Sequence, residues 1–143
     1  MRKTKRYAVV VLGVFFGLVL FQPVTADQAA EKEAFRAANF WLALVDAGSY
    51  ARSWERAADY FKAAVQEEQW VASLKAIRKP LGKAIYRTLK YKKYTTTLPG
   101  APDGEYVLIQ FATSFERKKS AIETLTPMRD KDGKWRVAGY YIK

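Results

Sequence analysis

Leu98-Pro-Gly-Ala-Pro-Asp-Gly-Glu-Tyr106, running on into Val107-Leu-Ile-Gln-Phe-Ala-Thr-Ser-Phe115, divides the chain. Two prolines and two glycines within six residues force a tight excursion, since proline fixes φ and glycine admits the left-handed turn conformations. The run that follows places Val107, Ile109, Phe111 and Phe115 on one face at a period of two, which is a strand with one buried side. Residues before this stretch carry mainly helical periodicity, and residues after it carry strand periodicity.

Three helical segments precede it. From Glu31 to Ala47 the apolar positions Ala34, Ala37, Ala38, Trp41, Leu42 and Val45 recur in steps of three and four, and Gly48 closes the segment. Ser49 or Ser53 is placed to cap a second helix with the stripe Tyr50, Trp54, Ala57, Ala58, Phe61 and Val65. The third aligns Trp70, Leu74, Ile77 and Leu81, with Pro80 and Gly82 at its end. The plain reading of these aromatics is core.

Four strands are expected. Ile85–Thr97 is rich in Tyr and Thr, but its lysines suit an edge position. Glu105–Phe115 is central, and Ser120–Arg129 carries Pro127, which marks a bulge or an edge. Asp130–Gly133 turns the chain into Lys134–Lys143, where Trp135 and Val137 oppose Arg136. Helices first and a meander after is α+β: three N-terminal helices packed on one face of a curved four-stranded antiparallel sheet.

The chain opens with a different signature. Met1–Arg6 is basic, Tyr7–Phe21 is apolar with only Gly13 and Gly17 interrupting, and Val24-Thr25-Ala26 offers small residues after Pro23. This is the pattern of a signal peptide, residues 1–26, cleaved after Ala26. The apolar run is short of the roughly 20 residues that span a bilayer, so the membrane is met only through the uncleaved signal. Residues 27–143 then form a single domain exported to the periplasm, with secretion as the alternative. Cysteine is absent, so stability must come from packing, and a lipid-anchored N-terminus has no attachment residue.

Formal charge is +11 over the whole chain, and the leader contributes Arg2, Lys3, Lys5 and Arg6 to it. Between Gln69 and Pro102 stand eight basic residues and no acid: Lys75, Arg78, Lys79, Lys83, Arg87, Lys90, Lys92 and Lys93. This segment more than accounts for the net charge left after the leader. Lys75, Lys79, Lys83, Lys90, Lys92 and Lys93 are therefore a candidate patch for anionic envelope components: phospholipid headgroups, lipopolysaccharide or other acidic polymers. Lys90-Tyr-Lys-Lys-Tyr94 also interleaves charge and aromatics as nucleic-acid binders do, but export removes nucleic acid as a partner. The bland alternative is that edge lysines keep sheets from pairing.

The combination of Trp41-Leu42, Asp46-Ala-Gly-Ser-Tyr50, Ser53-Trp54 with Ala57-Ala58 and Phe61, Trp70, and Arg78 with Pro80-Leu81-Gly82 resembles one family. So do Leu98–Gly104 with Tyr106, Glu123-Thr124, Gly133-Lys-Trp-Arg-Val137 and Gly139-Tyr-Tyr-Ile142. It is the exported bacterial domain of unknown function 4019, and the likeness runs from about Ala34 to Ile142. That family in turn resembles the nuclear transport factor 2-like cone, in which helices pack into a curved sheet around a pocket. The resemblance implies fold and compartment and brings no activity and no functional residues.

Histidine is absent as well as cysteine, so neither a Ser-His-Asp nor a Cys-His nucleophile arrangement exists. The usual zinc and copper ligands are missing, Asp103 and Glu105 lack the spacing of a calcium loop, and no phosphate loop occurs. No metal or cofactor is expected. For a pocket enzyme working with a Tyr–carboxylate pair, Asp46 with Tyr50, or Asp59 with Tyr60, can be nominated. Should a pocket exist, Tyr50, Trp54 and Tyr106 supply ring faces, while Arg78 and Arg87 are built to grip a carboxylate or phosphate. The competing account is a filled core with arginines at its rim. The leading functional expectation is a small non-catalytic module that binds a small ligand or an envelope protein. The Tyr–carboxylate enzyme and the anionic-surface adaptor are its rivals, and a homodimer through the exposed sheet face is a fourth option.

Overall fold

The computed structural model describes residues 24–143. Most of the stretch read as a leader lies outside the described residues; only Val24, Thr25 and Ala26 fall within them. Helix α1 (Ala26–Asp46) begins five residues before the expected Glu31 because Thr25 caps it. The Thr25 hydroxyl accepts from the Gln28 N–H at 3.2 Å, and the Gln28 side chain accepts from the Thr25 N–H at 3.1 Å. Its buried face is Ala34, Ala38, Trp41, Leu42 and Val45.

The second expected helix is divided into α2 (Tyr50–Glu55) and α3 (Asp59–Ala64), so the helical layer has four members rather than three. Ala58 leaves the helical conformation for an extended one, and its N–H donates to the Val137 carbonyl at 2.8 Å. Ala57 and Ala58 have no exposure, which only small side chains allow where a chain lies directly against a strand edge. Helix α4 (Glu67–Leu81) buries Trp70, Leu74 and Arg78 at four-residue steps, while Ile77 is left in solvent. Gly82 ends α4 at φ +75, where an added Cβ would stand 2.9 Å from Glu116 Cβ.

Strands β1 (Ala84–Thr95), β2 (Tyr106–Phe115), β3 (Lys118–Arg129) and β4 (Trp135–Ile142) form an antiparallel sheet in that order. The lysine-bearing β1 is an edge, as its composition suggests, and the pairing slips between Leu125 and Pro127, where proline interrupts the ladder. Both edges are partly blocked. Glu31 accepts from the Tyr94 N–H on β1, and Ala58 occupies the Val137 carbonyl on β4.

α1 lies across all four strands and meets Val107, Ile109, Phe111, Leu125 and Val137 from their inner face. Trp41 and Trp70 both reach Ser53: the Trp41 indole donates to its carbonyl at 2.8 Å and the Trp70 indole to its hydroxyl at 2.9 Å. Ser53 passes its own proton to the Tyr50 carbonyl, so it is a fully buried polar hub rather than a helix cap. The proline-glycine excursion is tied down by Tyr106, which is buried and donates its hydroxyl to the Pro102 carbonyl.

Candidate functional site

Between the helices and β4 the aromatic side chains close on one another. The gap bounded by Trp41, Phe61, Trp70, Val137, Gly139 and Tyr140 has no room for a water molecule. At the rim, by contrast, six elements converge on a charged network, β2 through Thr113. α1 ends at Asp46, α4 turns Arg78 inward one step beyond Leu74, and β1 presents Arg87. β3 contributes Glu123 and β4 Tyr140.

Glu123 sits in the inward register of β3 with Ala121 and Leu125, and it has no solvent exposure. Both of its oxygens are engaged twice. Arg87 donates from Nε and, at 3.1 Å, from Nη2; Thr113 donates at 2.5 Å and Tyr140 at 2.6 Å. A carboxylate offers about four acceptor positions, so none is left for a substrate. Asp46 takes the other end of Arg87 in a two-pronged contact (2.5 and 2.8 Å) and accepts from Arg78 at 2.9 Å.

Burial alone would raise the Asp46 carboxyl, but hydrogen bonds from Arg87 and Arg78 hold it below the usual carboxylate range. For Arg87, burial works against the charge and is outweighed by Asp46 and Glu123, so the guanidinium stays ionised. Burial, followed by the charge on Glu123, pushes the Tyr140 phenol well above its ordinary value. Arg78 lies 5.0 Å from the centre of the Phe115 ring, and its Nε and Nη1 are buried without a partner.

The nominated pocket residues are thus split. Arg78 and Arg87 do come together, but on the protein's own carboxylates. Tyr50 lies half-buried beside them, in an open cleft of about 280 Å³ that also holds Lys79, Lys83 and Glu116. Trp54 is half-buried, with its indole N–H donated to the Val65 carbonyl at 2.7 Å. Tyr106 stands seven residues from Thr113 along β2, roughly 23 Å away at strand rise, and is buried against Pro102, which borders a different cleft. That cleft, about 500 Å³, runs between α3 and the proline-glycine turn and is lined by Asp59, Tyr60, Pro102, Asp103 and Met128 among others. Among the described residues neither Asp46 with Tyr50 nor Asp59 with Tyr60 is hydrogen-bonded. The Tyr–carboxylate pairs that do form are Tyr94 with Glu105, at 3.3 Å, and the buried Tyr140 with Glu123, and sequence reasoning misses both. An acid placed between Ala121 and Leu125 at the strand period is the available signal, because a charge on an apolar face must be paired.

The six lysines divide between layers. Lys75 and Lys79 are exposed on α4, and Lys83 follows it. Lys92, paired with Ile109, lies on the inner face with its ammonium 5.4 Å from the Phe35 ring, whereas Lys93, paired with Leu108, lies on the outer face. Lys90 occupies the irregular step between Leu89 and Tyr91. Among the described residues none of the six has a carboxylate within ion-pairing distance. Among the described residues no helix is long and apolar enough to cross a membrane, and no metal-ligating cluster occurs.

Residues 37–140 match the family model described as "Protein of unknown function (DUF4019)". No curated protein and no solved structure matches the chain, so the likeness to nuclear transport factor 2 rests on the sequence resemblance alone.

Proposed function

This chain belongs to the DUF4019 family, and we propose that it is an exported, non-catalytic module that binds an anionic partner through the segment from Lys75 to Lys93. The observation that carries this reading is the set of six lysines left without a carboxylate, while the two arginines of the same segment are held by Asp46 and Glu123. Cations with no internal partner hold their field for something outside. The leader pattern of residues 1–26 and the absence of cysteine support export to the envelope. The saturated Glu123 and the aromatic side chains closed on one another between the helices and β4 support binding at the surface in place of chemistry in a cone.

Titration of residues 27–143 with inorganic polyphosphate tests it. Binding is expected to weaken steadily as sodium chloride rises, and to be lost when all six lysines are replaced by glutamine. Binding that ignores salt, or that the six-glutamine variant retains, overturns the reading.

The cleft of about 500 Å³ beside Tyr60 supports a second reading, a small-ligand site, since it lies within the usual size of such sites. Native mass spectrometry of protein purified gently from its envelope tests this. A reproducible added mass supports it, and the bare chain mass counts against it.

A further inference from the structure

The helices cover one face of the sheet, and the other face carries an unusual set of side chains. Because Ile109, Phe111, Leu125 and Tyr140 point inward, Gln110, Thr124 and Tyr141 point outward. Tyr91, Gln110, Thr124 and Tyr141 are successive cross-strand partners and form one row over all four strands. At each end of the row is an exposed ring: Tyr91 is 41% and Tyr141 56% accessible. Further along β1, Tyr86 (62%), the partner of Ser114, is more open still on this face, and Ile85 (60%) lies at the irregular step before it, whereas Leu89 (40%), the partner of the inward Phe111, belongs to the inner face. Four of the nine large apolar side chains exposed among the described residues therefore belong to one edge strand. Interleaved with them are Lys90 and Lys93, neither of which has an ion-pair partner. Outward positions on the central strands are Leu108, Gln110, Ala112 and Ser114 on β2, and Ile122 and Thr124 on β3, with no carboxylate among them.

We infer that this face, from Tyr86 and Tyr91 on β1 across to Tyr141 on β4, docks on an anionic lipid bilayer. The inference rests on the anionic-partner reading above and names the partner. Tyrosine has an apolar ring and a polar tip, which suits the boundary between headgroups and acyl chains. Lysine lays its stem along such a surface while its ammonium reaches the phosphates. A patch of exposed apolar side chains bordered by unpaired cations and free of acids is complementary to that surface in both polarity and charge. A second copy of the chain fits less well. Pairing β1 with β1 would bring the Lys90–Lys93 segments of both chains together, and like charges facing each other oppose strand pairing.

Co-sedimentation of residues 27–143 with vesicles of phosphatidylglycerol and phosphatidylcholine, against phosphatidylcholine alone, tests the inference, with polyphosphate titrated in parallel. Binding is expected only to the anionic vesicles. Replacing Tyr86, Tyr91 and Tyr141 together by serine should weaken it by at least about tenfold, from the apolar area withdrawn, and leave polyphosphate binding unchanged. Lys90→Gln with Lys93→Gln should cost about fivefold per lysine. A Tyr141→Trp variant gives a readout without disturbing the fold: its emission should shift to the blue on anionic vesicles and be quenched by brominated lipid. Binding to polyphosphate but not to vesicles overturns the lipid inference and leaves the anionic reading standing. Undiminished vesicle binding by the serine variant, an unshifted emission from the Tyr141→Trp variant, or a concentration-dependent dimer that the serine variant abolishes, also overturns it. Failure to bind either probe overturns both.

Discussion

Arg87 on β1 and the fully buried Glu123 on β3 are joined by two hydrogen bonds that pass over the intervening strand β2. Thr113 of β2, the cross-strand partner of Arg87, donates to the same carboxylate from beneath. The charge of Glu123 is thereby shared by three strands, with Tyr140 adding the fourth. Removing it should unfasten the sheet. Glu123→Ala is expected to cost about 3–5 kcal/mol, because it strips the Arg87 Nε of its acceptor, leaving that cation only Asp46, and strands the Thr113 and Tyr140 hydroxyls. Glu123→Gln should cost less, since an amide oxygen still accepts. Urea titrations of the two variants give the order; a Glu123→Gln chain as stable as the parent would show that Glu123 serves only to fill space.

The same network contributes to both ends of the pH–stability curve. Asp46 titrates lower in the folded chain than in the unfolded one, so its contribution is complete above the unfolded carboxylate range, about 3.9, and is lost as pH falls through the folded value. Tyr140 titrates higher when folded, so its contribution is complete below about pH 10 and fades as pH rises beyond it. Thermal melts across pH should show Asp46→Asn flattening the acid limb alone and Tyr140→Phe flattening the alkaline limb alone. A variant that shifts the whole curve without changing either slope would contradict this assignment.

Ser53 should be the most sensitive small residue in the helical layer. Among the described residues its hydroxyl is the only acceptor of the buried Trp70 indole N–H. Ser53→Ala therefore strands a donor away from water, at about 1–3 kcal/mol. Equilibrium unfolding followed by tryptophan fluorescence measures the loss. Trp70→Phe in the Ser53→Ala background should recover part of it, since the stranded donor is then gone.

The proposed cut after Ala26 removes Thr25, and with it both capping hydrogen bonds of α1. The first turn, from Asp27 to about Ala30, should then exchange its amide protons faster in the processed chain than in the full chain. Ala34 onward, packed on the sheet, should not change. Intact mass of the exported protein, expected to begin at Asp27, checks the cut itself.

The layers and strand order could be read from periodicity because burial imposes it directly: Val107, Ile109 and Phe111 face α1 because they alternate. Edge placement of β1 followed from its lysines and the β3–β4 irregularity from Pro127. The break between α2 and α3 was not legible. Ala57 and Ala58 continue a helical stripe by sequence, and only the approach of Val137, about eighty residues further on, diverts them. The arginines were recognised as a pair, but their partners could not be. Nothing local in the sequence says that the end of α1 and the middle of β3 meet at β1. Arg78 and Arg87 are nominated from sequence for a ligand's carboxylate, and in the structure the carboxylates they hold are the protein's own, Asp46 for both and Glu123 for Arg87 alone.

That distinction yields a ranking of the two arginines. Arg87 neutralises a carboxylate that has no access to water and no other cation in contact with it, so Arg87→Met leaves Glu123 charged in the core. A cost of about 3–5 kcal/mol is expected, sufficient to threaten the fold of a small domain. Arg78 is also buried, but it donates only to Asp46, which keeps Arg87 and is itself about one-third exposed. Two of the Arg78 nitrogens already lack partners, and its guanidinium rests on the Phe115 ring, which an apolar side chain also contacts well. Replacing a buried charge whose donors are mostly unused by an unbranched apolar residue of similar length recovers that desolvation cost. Arg78→Met is accordingly expected to lie within about 1.5 kcal/mol of the parent chain. Chemical denaturation of both variants decides the matter: an Arg78→Met as damaging as Arg87→Met would mean that the unpartnered nitrogens hold an acceptor essential to the fold.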